Sequence, residues 1–236
     1  MTTPSYDDLW RTSWGDMQRL GPVHRHIQED LVRVVRGLEV RTVLDVGCGG
    51  GDNLALLAHV GGYELTGTDV SEEALRLAGS RVPPSVQLRT LDIEHDTLPE
   101  RFDLVLSVQV VEHLIDDVAA LRNMTSMAAK YVLTSTLGGR MRPSEPAIGH
   151  VRNYSRIELI RKLELADLEV LWVRGWGFPF YSPLYRTVVE YLPGGPPTGT
   201  VGTLQRFVAN GIYHLYRLNV DGRGDILSAL ARPRGS

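Results

Sequence analysis

The sequence predicts an α/β fold: a seven-stranded, mostly parallel sheet with helices on both faces, a helical cap at the N-terminus and an insertion before the last strand. Short apolar runs alternate with helix-periodic segments from residue 42 to residue 175, the pattern of a layered α/β domain. The connections are short, so successive strands lie parallel through right-handed crossovers. The first run is followed by a bare turn, GCGGG at 47–51, and glycine alone takes a left-handed backbone cheaply while leaving room for close approach.

In chain order, Val23, Ile27, Leu31, Val34 and Val35 recur at helical spacing behind Pro22, a residue suited to a first turn. RTVLDV at 41–46 is the first strand, 52–60 a helix and YELTGT at 63–68 the second strand. The helix over 71–80 opens with Ser71 as N-cap and Glu72 and Glu73 in its first turn. SVQLRTL at 85–91 and FDLVLSV at 102–108 are strands, 115–129 a helix, and KYVLTST at 130–136 the fifth strand. A helix over 155–166 and a strand over 168–176 complete the rhythm. Residues 176–224 break it, and the apolar run DILSALARP at 225–233 is a strand returning to the sheet. The expected organisation is one domain over 1–236: a helical cap (1–40), a core (41–175), an insertion (176–224) and a final strand (225–233).

The chain has 236 residues, 43% hydrophobic and 22% charged, enough for one sizeable core. Its net charge of -3 gives no general attraction for nucleic acid or anionic lipid. Cys48 is the single cysteine, so no internal disulfide forms, and the polar first residues lack a secretory pattern; a cytoplasmic location is expected. No run approaches the roughly 18–20 apolar residues of a membrane span, which leaves only peripheral membrane contact. PGGPPTGTVG at 193–202 has the composition of a flexible surface loop.

A glycine turn between strand and helix suits several nucleotide-like ligands. A dinucleotide fingerprint starting at Gly47 would need its third glycine where Asp52 stands, and a carboxylate there repels a pyrophosphate. Asp69 ends the second strand, 22 residues after Gly47, where it can accept both hydroxyls of a ribose. Asp92 follows the third strand, placed to accept from an adenine amino group while Ile93 packs on the ring. Turn, ribose acceptor and adenine acceptor together fit an adenosine ligand without phosphates.

VLDVGCGGG, TGTDVS, LDIEHD and FDLVLSVQVVEHLID resemble successive motifs of the class I S-adenosylmethionine (SAM) dependent methyltransferases. The resemblance is to the small-molecule branch that includes ubiquinone and menaquinone methyltransferases, and it covers 41–175 and 225–233. It implies a Rossmann-like fold with Asp45, Gly47, Gly49 and Gly51 around the methionine portion of SAM, Asp69 and Val70 at the ribose, and Asp92 and Ile93 at the adenine. Val108 and Gln109 would border the methionine amine and the sulfonium. Tyr6 and Trp10 resemble aromatics that close over the cofactor, and Arg25 would pair with its carboxylate. Each residue also has a structural reading: Asp45 fixing the turn, Cys48 packing, Asp52 and Asn53 capping a helix, Tyr6 and Trp10 packing a helix, Arg25 as surface charge.

The expected function is methyl transfer to oxygen, nitrogen or carbon of a small organic acceptor, biosynthetic or lipid-like, releasing S-adenosylhomocysteine. The alternatives are a SAM-binding enzyme of other chemistry, a nicotinamide oxidoreductase, or a non-enzymatic binding protein. Transfer from a sulfonium needs an in-line nucleophile more than covalent catalysis. His113 after the fourth strand and His150 after the fifth are candidate bases, with Arg152 and Tyr154 as polar neighbours for the acceptor. In the insertion Trp176, Phe178, Phe180, Tyr181 and Tyr185 line an acceptor pocket, cover the sheet, or form a homodimer contact. The remaining histidines are scattered, so no metal is expected, and nucleic acid is disfavoured as a partner.

Overall fold

The computed structural model describes residues 6–14, 17–190 and 202–235. Eight strands form one sheet: β1 (Thr42–Val46), β2 (Glu64–Asp69), β3 (Gln87–Thr90), β4 (Phe102–Val108), β5 (Ala128–Leu137), β6 (Leu168–Phe178), β7 (Val220–Asp221) and β8 (Ile226–Pro233). Their order is β3-β2-β1-β4-β5-β8-β6-β7. The pairs among β1 to β5 are parallel, whereas β8 runs antiparallel to both β5 and β6.

Alternation along single strands explains why the sheet is covered twice. Leu44 and Val46 of β1 enter one hydrophobic cluster, which holds Leu121 and Met124, while Val43 enters another with Leu31, Val35, Leu54 and Leu57. β4 divides in the same way, Val105 on one side and Leu104 and Leu106 on the other. A strand buried on both faces reads as a continuous apolar run, which these strands are.

The helices are α1 (Tyr6–Leu9), α2 (Met17–Leu20), α3 (Pro22–Arg36), α4 (Asp52–Val60), α5 (Glu72–Gly79), α6 (Asp117–Met127), α7 (Arg156–Leu165), α8 (Arg186–Glu190) and α9 (Thr203–Tyr216). α3 buries Ile27, Leu31 and Val35, four residues apart, against the sheet. Side-chain caps set three helix starts: Ser71 accepts from the Ala74 amide at 3.1 Å, Asp116 from Ala119 at 2.9 Å and Ser155 from Glu158 at 3.1 Å. Among the described residues no helix is long and apolar enough to cross a membrane.

The sheet has one strand more than expected. The added strand, β7, is two residues long and pairs Asp221 with Trp176 at the end of β6; so short a segment carries no periodicity. Residues 129 and 128, expected at the end of a helix, open β5 instead, because α6 stops at Met127. Within 176–224 the chain makes an irregular turn over 180–185, then α8, and after α9 returns through β7. Tyr181 and Tyr216 pack there with Ile27 of α3, Leu137 of β5 and Ile226 of β8. Residues 193–201 of the expected surface loop lie outside the described residues.

Tyr154 is part of this framework. It is 1% exposed, and its hydroxyl stands 2.6 Å from Asp117 Oδ2 and 3.0 Å from the Val111 carbonyl. Removing a buried hydrogen bond to a charged partner costs about 1.5–3 kcal/mol. Tyr154→Phe is therefore expected to lower unfolding stability by about that amount in urea, with an unchanged slope.

Candidate active site

The carboxyl ends of β1, β2, β3, β4 and β5 open into one cavity of about 430 Å³. It sits where the strand order reverses between β1 and β4, the place where open α/β sheets bind ligands. The turn after β1 forms its floor. Gly47 has φ +68°, and a Cβ built on it would stand 2.5 Å from Val110 Cγ2, so this close crossing of the β1 and β4 ends admits only glycine. Gly49 and Gly51 also have positive φ, but they serve different contacts: the Gly49 amide donates to Asp69 Oδ2 at 2.9 Å, whereas Gly51 faces Ala78 of α5 rather than the cavity.

Asp69 and Val70 line the cavity at the end of β2. Asp69 is fixed by two backbone amides, Gly49 on Oδ2 and Ser71 on Oδ1, each at 2.9 Å. Burial raises its pKa, and these amides pull it back down. Asp92 and Ile93 line the cavity after β3; Asp92 also accepts from the Glu94 amide at 3.1 Å and meets His95 Nδ1 at 3.0 Å. Val108, Gln109 and Val110 line it after β4. Gln109 is a non-glycine residue at φ 58°, its amide bonded to the Ser135 carbonyl at 2.7 Å and its buried Nε2 without a partner.

The N-terminal segment covers this opening. Tyr6, Trp10 and Trp14 line the cavity, with ring centroids 6.2 Å (Tyr6–Trp14) and 5.4 Å (Trp10–Trp14) apart, and Trp14 lies 5.7 Å from His113. Asp7 holds the segment down by accepting from Ser71 Oγ at 2.5 Å and the Glu73 amide at 3.3 Å, at the N-terminus of α5 where a carboxylate is favoured.

At the far end His113 and His150 meet edge to face, 4.6 Å between centroids. Burial, with His150 adding to it, pushes the His113 imidazole down to about 3; burial, with Arg186 adding to it, pushes His150 down to about 4. Both rings are therefore neutral at physiological pH. Beside them Glu112 is fully buried, and burial pushes its carboxyl up to about 7. One ligand atom from each of Glu112, His113 and His150 lies within 4.8 Å of the others, a grouping that the scattered histidine spacing did not predict.

Several residues expected at the site point elsewhere. Arg25 donates to Asn210 Oδ1 at 2.8 Å and lies 3.6 Å over the Tyr213 ring, clasping α3 to α9 away from the cavity. Arg152 is bound to Asp117 Oδ2 at 2.7 Å and the Ile115 carbonyl at 2.9 Å, and Tyr154 shares that buried carboxylate. Trp176 packs between His26 and Tyr181, Phe178 lies under the Arg223 guanidinium, and the Phe180 amide donates to Asn219. Of the five insertion aromatics only Tyr181 and Tyr185 line the cavity. Asp45 lies buried beneath the turn rather than in the lining.

Other lining residues carried no motif: Trp14, His24, Gln28, Arg142, Glu145 and Arg186. Arg186 is buried and paired with both Glu145 and Asp225, while Arg142 Nη1 reaches Glu190 at 2.7 Å. Only Trp14 had a signal, its spacing of four from Trp10 on one helical face.

Residues 43–130 match the family described as a methyltransferase domain. Over these residues the chain is similar to SAM-dependent methyltransferases. The chain is 28% identical over 143 residues to the ubiquinone biosynthesis O-methyltransferase of Hydrogenovibrio crunogenus, covering 56% of this chain and 58% of the relative. The matched stretch thus spans a little over half the length of that relative. Among solved structures, Haemonchus contortus phosphoethanolamine N-methyltransferase 2 in complex with SAM aligns with a TM-score of 0.69 at 17% identity, covering 98% of this chain and 60% of that one. A chain from the complex of the Haloferax volcanii Trm112 methyltransferase activator with a methyltransferase aligns with a TM-score of 0.66 at 17% identity, over 99% and 100%. At these identities the likeness is one of fold.

Asp45 gives the site a measurable pH dependence. Burial pushes its carboxyl up to about 7, against the opposing pull of Asn53. A folded-state pKa above the unfolded value contributes stability that is present at low pH and lost as pH rises through the folded value. Between about pH 4 and pH 8 the wild type is expected to lose urea stability relative to Asp45→Asn, which removes the titration. Parallel curves for the two proteins would contradict the assigned burial.

Proposed function

We propose that this methyltransferase moves the methyl group of SAM to a hydroxyl oxygen of a small, largely apolar acceptor, releasing S-adenosylhomocysteine. The observation that carries the reading is the continuous cavity that joins the Gly47 turn, Asp69 and Asp92 at one end to the His113–His150 pair at the other. Asp69, oriented by two amides, keeps lone pairs for a ribose diol, and Ile93 offers an apolar face beside Asp92 for an adenine. Among the relatives in sequence, the name of the Hydrogenovibrio crunogenus protein refers to O-methylation in ubiquinone biosynthesis, which favours oxygen over nitrogen or carbon.

SAM supplies a sulfonium methyl that is electrophilic before any protein group acts on it. The chain's own part is then to hold, orient and desolvate. Trp10 and Trp14, 5% and 8% exposed, exclude water from the cofactor end. Gln109, a lining residue after β4, is held at positive φ by its amide bond to Ser135 of β5, and its buried Nε2 has no protein partner. His113 and His150, kept neutral by burial, accept a hydrogen bond from the acceptor hydroxyl and draw its proton away from the attacking oxygen. Tyr181 and Tyr185 supply an apolar wall for the acceptor.

Calorimetry is expected to give micromolar SAM affinity for the wild type and at least about tenfold weaker binding for Asp69→Ala. His113→Asn is expected to keep SAM affinity while lowering kcat for a phenolic acceptor by about 10²-fold. Unaltered SAM binding by Asp69→Ala would remove the cofactor assignment; unaltered turnover by His113→Asn would remove only the role of the histidine.

A further inference from the structure

α9 is apolar on two faces, and the protein covers only one of them. Tyr213 and Tyr216 are buried, and Ile212 packs with Tyr216 against Ile27 and Leu137. Away from that face, Leu204, Phe207, Val208 and Leu215, with Leu218 in the turn after the helix, are 76%, 77%, 50%, 40% and 65% exposed. Their spacing of i, i+3, i+4, i+11 and i+14 sets them on one stripe about 100° wide. Single exposed apolar side chains are ordinary, but a contiguous row of large ones marks an interaction surface.

The polar edge of the stripe is cationic. Residues 203–219 carry Arg206, His214 and Arg217 and no Asp or Glu, in a chain with 28 acidic and 25 basic side chains overall. At 100° per residue these three fall together between the stripe and the buried face. Leucine and phenylalanine beside a basic edge is the pattern of a helix that lies in the interface of a bilayer. A second copy of the chain on the same stripe would instead bring two basic edges together, with no carboxylate from either helix to meet them.

We propose that the exposed stripe of α9 docks this protein on an anionic lipid surface, the helix lying along the headgroup boundary. Leu204, Phe207 and Val208 enter the acyl region while Arg217 stays among the headgroups. Gln205 and Ala209 of the same helix line the cavity, so α9 has the acceptor end on one side and lipid on another. The use of the surface rests on the methyl-transfer reading: an apolar acceptor dissolved in lipid reaches the cavity beside α9 without crossing bulk water. Docking itself needs neither SAM nor acceptor.

The test is co-sedimentation of the full chain with vesicles of phosphatidylcholine, alone or with roughly one-third phosphatidylglycerol, in the absence of SAM. The expected result is pelleting with the anionic vesicles that falls as salt is raised. Binding is expected to weaken at least about tenfold in the double variant Leu204→Ser, Phe207→Ser and about fivefold in Arg217→Glu. Ile157→Ser, which removes an apolar side chain 80% exposed on α7, is expected to change nothing. Circular dichroism and SAM calorimetry check that each variant is folded; if the double variant is not, Phe207→Ser replaces it. No pelleting of the wild type, or equal pelleting of wild type and the α9 variants, overturns the proposal. So does a wild-type dimer in sedimentation velocity that Phe207→Ser dissociates while vesicles bind neither protein, which assigns the stripe to a second copy. Intact SAM binding without pelleting removes the lipid surface and leaves methyl transfer standing; pelleting without SAM binding does the reverse.

Discussion

The crossing of the turn after β1 over the end of β4 is the constraint on which the site depends. Val110 leaves no room for a Cβ at Gly47, and the turn runs on through Gly51, also left-handed, into α4. The Gly49 amide is thereby presented to Asp69, so the geometry of the bare turn and that of the carboxylate on the neighbouring strand are one hydrogen-bonded unit. A larger residue at 47 would meet the Val110 side chain and strain the left-handed backbone.

A second consequence is electrostatic. The tryptophans of the N-terminal segment and the aromatics near α9 enclose polar groups that a more open site would leave hydrated. Burial raises the carboxyls of Asp45 and Glu112 and lowers the imidazoles of His113 and His150, so all four are driven toward neutral forms. The same desolvation strengthens any dipole or charge that a ligand brings.

The segment before the last strand does two physically different jobs. Its aromatic residues build a packed cluster with α3, β5 and β8, so most of them are structural. Its buried Arg186 joins Glu145 on the connection after β5 to Asp225 at the start of β8. Removing either carboxylate would leave a buried charge partly compensated, which is why such networks fix loop positions even where their net stabilisation is small.

The sequence by itself determined most of the elements and the residues that line the cavity at the ends of β1, β2 and β3, because both are encoded locally. Alternation in TVLDV and four-residue spacing in α3 are set by neighbouring residues, and Gly47, Asp69, Asp92 and Ile93 sit at strand ends whose order the alternation implies. Tertiary structure alone decided the rest. The direction of β8 depends on pairing with β5 and β6, and two-residue β7 exists only through its partner. Arg25, Arg152 and Tyr154 are polar residues whose partners lie tens of residues away, so nothing local distinguished an ion pair or hydrogen bond from a ligand contact. The meeting of His113 with His150 is of the same kind: the two are brought together by backbone bonds to Glu112, a long-range contact to which sequence periodicity is blind.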